Sequence, residues 1–356
     1  MKRPVFSYKY CRNFFRGFIV KKFVILSIDG GGIRGIIPAV FLATLKDMLE
    51  KKGIKQPFHE IFNLMAGTST GGLISLALSV PLYKSSHGSP YAPEGGIIPQ
   101  KLPELYETLA NRAFPGNSRN VMRTLRQIFT SKYSSESFQA VLTELFGSST
   151  VKNALTNILL TAFDMKSMQP IFMKKRTREA GGETDPDFLM VDAALATSAV
   201  PTYFPPAHVR NVDGNAKYCL IDGGIFCINP AMSALTEAKK ISPDSKYILL
   251  SLGTGTQTEE YKTETMHRWG FFNWIAPWLG VPLIAAMGEG QRISTNHMLK
   301  RYPGVALYRF DVVLDRGKGR IDDGSAENLN YLRQKANDMI RENQMKMAEA
   351  AEALIQ

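Results

Sequence analysis

The chain has 356 residues, enough for one large domain or two modest ones and enough to bury a sizeable core without covalent staples. Hydrophobic residues make up 44% and charged residues 21%, which excludes wholesale disorder and collagen-like or coiled-coil chains. The net charge is +11, with seven basic residues and no acid inside residues 1–28, so the excess belongs to one end rather than to the whole surface.

Residues 1–22 read as a basic arm in which Lys2, Arg3, Lys9, Arg12, Arg16, Lys21 and Lys22 alternate with Tyr8, Tyr10, Phe14, Phe15 and Phe18. That mixture suits an anionic lipid surface, at about 1 kcal/mol per well-placed cation. It would hold nucleic acid only without sequence preference, and it equally describes a solvated arm whose aromatics pack on the body. It does not read as a signal peptide, because the apolar run at 23–28 is short and leads into Asp29 and three glycines instead of a small-residue cleavage site.

Residues 23–29 (FVILSID), apolar and bounded by glycine, are expected to form a buried strand. A helix follows over 36–52, with Pro38 in its first turn, Val40, Leu42, Leu45 and Leu49 at helical spacing and Gly53 as its stop. Residues 61–83 carry no charge, yet GTSTGG in their middle makes a membrane span untenable; a strand at 64–66, a glycine-rich turn and a helix at 72–80 fit better. A Ser/Pro/Gly-rich loop is expected at 85–96 and helices at 102–113 and 135–146. Strands are expected at 157–163, 171–173, 218–221, 247–252 and 306–310, and helices at 191–198 and 230–240. A basic loop is expected at 174–186 and one long amphipathic helix from 326 to the C-terminus. The second uncharged run, 269–288, is broken by Gly270, Pro277, Gly280 and Pro282 and is no regular spanning helix.

Strands alternating with helices imply an α/β fold with a mostly parallel central sheet flanked by helices. With no internal repeat and no clear linker, the expected organisation is the arm at 1–22, a catalytic domain at 23–315 and a C-terminal helical segment at 316–356 packed on it.

Three motifs carry chemistry. Asp29-Gly30-Gly31-Gly32-Ile33-Arg34-Gly35 sits between a strand and a helix and matches GxGxxG. The ribose-binding acid of a dinucleotide fold is missing, since Glu50-Lys51-Lys52 closes a helix where that acid belongs, and no Gly-Lys-Ser/Thr follows. What remains is a run of backbone N–H groups before a helix, suited to an anion or to an oxyanion in a transition state. Gly67-Thr68-Ser69-Thr70-Gly71 is GxSxG between an apolar strand and an apolar helix, the setting in which a sharp turn exposes a nucleophilic hydroxyl. Asp222-Gly223-Gly224 follows a strand directly. A Ser nucleophile needs a base, and the available ones are Asp222 and, in what reads as surface loop, His208.

Three cysteines (Cys11, Cys219, Cys227) without a CxxC pair and five scattered histidines point to a reduced, intracellular-type protein with no metal centre.

The set DGGGIRG, GTSTG and DGG, in that order, resembles the patatin-like phospholipase family, and 193–204 (AALATSAVPTYF) and 251–255 (SLGTG) extend the resemblance over roughly residues 22–315. The resemblance implies a three-layer fold related to the α/β-hydrolases and a lipid acyl hydrolase of phospholipase A type, needing no cofactor. It implies a Ser–Asp dyad with no catalytic histidine: Ser69 as nucleophile, Asp222 as base, and Gly30, Gly31 and Gly32 as the oxyanion hole, with Arg34, Gly67, Gly71 and Gly223 in support. An unperturbed Asp, with a pKa near 3.9, is a poor partner for a Ser hydroxyl, so Asp222 is expected to be partly desolvated.

Trp269, Trp274 and Trp278, beside Phe271, Phe272 and Ile275, read as an interfacial lid or acyl-chain entrance, or else as a subcore or an oligomer contact. The expected location is cytoplasmic, peripheral at the inner face of the membrane, with phospholipid as partner and no specific nucleic acid. Because the resemblance extends to effectors switched on by a cyclic nucleotide, a cyclic dinucleotide activator is a further expectation, with the basic residues Lys174, Lys175, Arg176 and Arg178 to receive it; a homo-oligomer is another.

Overall fold

The computed structural model describes residues 21–81, 95–113, 136–176, 185–257, 263–270, 273–274 and 282–355. The main sheet has eight strands: β1 (Lys22–Ile28), β2 (Leu64–Thr68), β3 (Asn157–Asp164), β4 (Gln169–Lys175), β5 (Ala207–Arg210), β6 (Lys217–Asp222), β7 (Lys246–Leu252) and, after the two-residue β8 (Thr256–Gln257), β9 (Val305–Phe310). β8 pairs only with β10 (Val313–Leu314). Strands β3, β2, β1, β7 and β9 run parallel in that order. β4 and β6 both lie antiparallel to β3, and β5 lies antiparallel to β6.

Among the described residues, helices of two turns or more are α1 (Ile36–Lys51), α2 (Thr70–Ser79), α3 (Leu102–Ala113), α4 (Glu136–Phe146), α5 (Met190–Thr197), α6 (Ala231–Ile241), α7 (Pro282–Lys300), α8 (Ala326–Glu342) and α9 (Gln344–Ile355). The central strands are apolar on both faces because both faces are covered. On β1, Val24, Leu26 and Ile28 join the larger core with α1, α2, α3, α4, α8 and α9, whereas Phe23 and Ile25 join a smaller core with α6 and Leu299 of α7. The result is the three-layer α/β architecture, with a mixed but mostly parallel sheet in the middle.

Several expected elements change. Lys174 and Lys175 end a strand instead of opening a loop. His208 lies exposed on the edge strand β5. The C-terminal helix is two helices broken at Asn343, whose own side-chain amide donates to the Met339 carbonyl at 2.8 Å and so closes the end of α8. The break lets Leu332, Ala336 and Met339, then Met347, Ala351 and Leu354, all reach the α1 side of the core. Among the described residues no helix is long and apolar enough to cross a membrane.

Candidate active site

The site is made where two strands meet end to end. β4 occupies one edge of β3 along its length, so β2 and β6 must share the other edge. β2 pairs parallel up to Thr68 opposite Thr161, and β6 pairs antiparallel down to Asp222 opposite Ala162, the next residue. The C-terminal ends of β2 and β6 therefore face one another, and the residues at those ends are Ser69 and Asp222.

Ser69 leaves β2 with φ 53° and ψ −121°, a left-handed backbone conformation that side-chain-bearing residues rarely hold unless the surroundings over-determine it. Its N–H donates to Thr197 Oγ1 at 2.9 Å, and that hydroxyl donates onward to the Thr161 carbonyl at 2.7 Å. The tight turn also needs close backbone approach: a Cβ on Gly67 would lie 2.1 Å from the Gly71 backbone, and one on Gly71 would lie 2.1 Å from the Ile28 carbonyl oxygen. The GxSxG spacing is thus a steric requirement of this strand–helix junction.

Asp222 is buried. Its Oδ1 accepts the Gly224 N–H at 2.6 Å, while Oδ2 is buried without an aligned hydrogen-bond donor. Burial pushes the carboxyl pKa up to about 7, against the opposing pull of the Ser69 hydroxyl and the Gly224 N–H. A Cβ on Gly223 would lie 2.1 Å from Thr161 Oγ1, so this glycine lets the chain turn tightly over β3.

The glycine run follows β1 on the same edge of the sheet. The Gly30 N–H donates to the Ile228 carbonyl at 2.9 Å and is engaged, whereas the N–H groups of Gly31 and Gly32 make no hydrogen bond among the described residues. Of the three glycines expected as oxyanion donors, Gly31 and Gly32 thus keep an unengaged N–H among the described residues. Thr254 packs over Gly31, where a Cβ would come within 2.3 Å of its hydroxyl oxygen, and Gly32 adopts φ +56° beneath the Ile321 carbonyl. Arg34 donates to the Gly319 carbonyl at 2.5 Å and to Gln257 Oε1 at 2.6 Å, tying the 319 and 257 segments beside the loop.

Ser69 opens into an apolar pocket walled by Ile33, Leu73, Leu109, Phe138, Val200 and Phe204. Phe138 and Phe204 stack with ring centroids 5.9 Å apart. Tyr106, in the same wall, donates to the Thr70 carbonyl at 3.1 Å and also bonds the Thr70 hydroxyl. Ser198 contributes a buried hydroxyl with no hydrogen-bond partner among the described residues.

The patatin-like phospholipase family model matches residues 26–235, which holds both the GxSxG turn and Asp222. The chain belongs to the patatin-like phospholipase family. It is 30% identical to patatin-like protein 2 of Oryza sativa subsp. indica, over 88% of this chain and 82% of that protein. It is similarly 30% identical to patatin-like protein 2 of Arabidopsis thaliana, over 89% and 82%, and 32% identical to patatin-2-Kuras 3 of Solanum tuberosum, over 70% and 66%. Membership in this family carries lipid acyl hydrolase activity in general.

Some residues of this patatin-like site were not foreseen from the sequence. Asp29 is buried and held by a bidentate pair from Arg309 at 2.8 and 2.6 Å; Arg309 also reaches Asp311, which Arg292 meets at 3.0 Å. Burial raises Asp29 to about 6 while Arg309 opposes the rise. The network clamps the start of the glycine run to the end of β9. Nothing local to Asp29 announces a partner at 309. Thr197 likewise carries no signal beyond its place in the 193–204 stretch.

Other expected site residues lie elsewhere. Lys174 pairs with Asp185 at 3.4 Å and Glu237 at 3.7 Å, Arg176 is buried against Glu237, and Lys175 donates to the Ala154 carbonyl. The nucleotide reading then falls to Arg178 and the arm at 1–20, which lie outside the described residues. Cys227 is buried, its thiol pushed up to about 11 by burial, and Cys219 is free; Cys11 lies outside. Trp269 and Trp274 are half-buried with ring centroids 5.2 Å apart in an edge-on pair, and Trp278 lies outside the described residues, as does most of the expected loop at 85–96.

Proposed function

We propose that the protein is a phospholipase A-type lipid acyl hydrolase in which Ser69 is the nucleophile and Asp222 its general base. The observation that carries this reading is the meeting of these two residues at facing strand ends, at the foot of an apolar pocket. Asp222 takes the Ser69 hydroxyl proton as Oγ attacks the ester carbonyl carbon of a glycerolipid. The carbonyl π pair moves onto oxygen, and the Gly31 and Gly32 N–H groups receive that oxyanion; one such donor is worth roughly 3–4 kcal/mol. The tetrahedral adduct collapses, the glycerol oxygen leaves with the proton from Asp222, and an acyl-Ser69 remains. Water, deprotonated by Asp222, attacks the acyl carbon; fatty acid leaves and the proton returns to Ser69.

The raised pKa of Asp222, about 7, supports the role, since a base works best when its pKa lies near the working pH. The apolar pocket suits a fatty-acyl chain. The test is fatty-acid release from phosphatidylcholine vesicles by wild type, Ser69→Ala and Asp222→Asn, each checked for folding by circular dichroism. Release by wild type alone is expected; near-normal turnover by either folded variant would remove the dyad.

A further inference from the structure

α7 turns an uncharged face to solvent. Four of its exposed residues between 283 and 298 are large and apolar: Leu283, Met287, Ile293 and Met298, at 44 to 55% exposure; the Glu289 side chain, 44% exposed, is paired with Arg292. At 100° per residue these four fall on one side of the helix. The two charges within that span are tied up: Arg292 Nε donates to Glu289 at 2.9 Å and its Nη1 to Asp311 at 3.0 Å. Two exposed cations, Lys300 and Arg301, stand at the end of the stripe.

The helix is also oriented toward the site. Its last residue, Lys300, lies five residues before β9 begins, so its C-terminal end stands at the N-terminal end of β9. Midway along it, Gln291 Oε1 accepts the Asn229 N–H at 2.9 Å and Arg292 reaches Asp311, both just beyond the strand ends that hold the catalytic edge. The first nine residues of α7, about 13 Å of helix, precede these two contacts. The Trp269–Trp274 pair precedes this stretch in the chain.

We propose that the exposed face of α7, together with the Trp269–Trp274 pair, is the surface by which the protein docks on an anionic phospholipid bilayer. An uncharged helix face edged by cations matches an interface of apolar depth beneath anionic headgroups. Indole rings favour that boundary, being apolar with one polar N–H. The proposal rests on the lipid acyl hydrolase reading for its occupant, but binding and ester hydrolysis are read separately.

The test is co-sedimentation of the full chain with vesicles of phosphatidylcholine alone and of phosphatidylcholine mixed with phosphatidylglycerol, comparing wild type with the double variant Met287→Glu/Ile293→Glu. Both substitutions sit in solvent, and turnover of a water-soluble short-chain ester reports whether the fold and site are intact. Wild type is expected to partition onto the mixed vesicles more than onto phosphatidylcholine, and the double variant to lose roughly tenfold or more of that partition while keeping ester turnover. Lipids brominated on the acyl chain are expected to quench tryptophan emission in wild type and not in the variant, which separates docking by α7 from tethering by the basic arm. Unchanged partition and quenching in the variant would overturn the proposal. So would a dimer, seen by light scattering, that the substitutions split without altering vesicle binding, since the face would then belong to a second copy. Loss of ester turnover in wild type with vesicle binding retained would remove the hydrolase reading and support the docking surface.

Discussion

Ser69 and Asp222 stand at the facing ends of two strands that share one edge of β3, with Thr68 opposite Thr161 and Asp222 opposite Ala162. A parallel strand and an antiparallel strand placed end to end bring two C-terminal ends together, which a wholly parallel sheet cannot do. This is the reason a base can come from a strand end without a long loop. The Asp29–Arg309 pair does the equivalent for the glycine run by fastening it to the end of β9.

Ser69→Ala is expected to lower kcat by about 10⁴-fold or more, leaving the residual rate that binding and the oxyanion donors supply. The variant is also expected to be no less stable than wild type, because alanine at φ 53° carries the same backbone strain. Ester assays and thermal melts on the same preparation check both statements.

As a base, Asp222 must be ionised, so kcat/KM is expected to fall as pH drops through about 7. The stability effect has the opposite sense. The folded-state pKa lies above the unfolded value of 3.8, so the folded protein binds this proton more tightly. Its stability then declines as pH rises from about 4 to 7, and the cost stays constant above 7. Asp222→Asn is expected to melt higher than wild type at pH 8, by at most about 4 kcal/mol at about 1.4 kcal/mol per pKa unit, with the advantage vanishing toward pH 4. Melting curves across that range check the sign.

The three glycines are expected to differ. A Cβ on Gly30 would meet its nearest neighbours at 3.4 Å, ordinary contact, so Gly30→Ala is expected to keep most activity. Gly31→Ala would collide with Thr254, and Gly32→Ala with the Ile321 carbonyl at a positive φ. Each of these two is expected to cost about 10²–10³-fold in kcat, the loss typical of one oxyanion donor. Steady-state kinetics on the three single variants decide it.

Leu73, Tyr106 and Leu109 wall both the pocket at Ser69 and a second apolar cavity that continues toward Leu142 and Phe146. Leu109→Ala is expected to join the two and shift preference toward longer acyl chains, by about tenfold relative to a short one, in line with what one or two methylenes are worth in an apolar pocket. It should also cost about 2–5 kcal/mol of stability. A series of nitrophenyl esters of increasing chain length reads the preference.

Arg309→Met is expected to destabilise by about 3–5 kcal/mol, since Asp29 would be left buried without its cation. Adding Asp29→Asn to it should restore part of the loss. Denaturant titration of the single and double variants measures this coupling.

What the sequence determined by itself is local. The strand–GxSxG–helix junction, the glycine run before a helix and the Asp-Gly-Gly turn after a strand follow from sterics within a few residues, which is why Gly67, Ser69, Gly71 and Asp222 could be singled out before any contact was known. The alternation of apolar strands and helices likewise announced the layered sheet. Tertiary structure alone decided which of these groups meet. That Asp222 faces Ser69 depends on β6 running antiparallel on the edge of β3 that β2 vacates. That Gly30 is not a free donor depends on the Ile228 carbonyl, and that Lys174 and Arg176 are held in ion pairs depends on Glu237 across the fold. Asn343 splits the C-terminal helix because two faces need to reach one core. Each of these turns on pairing between segments far apart in the chain, where neither propensity nor periodicity acts.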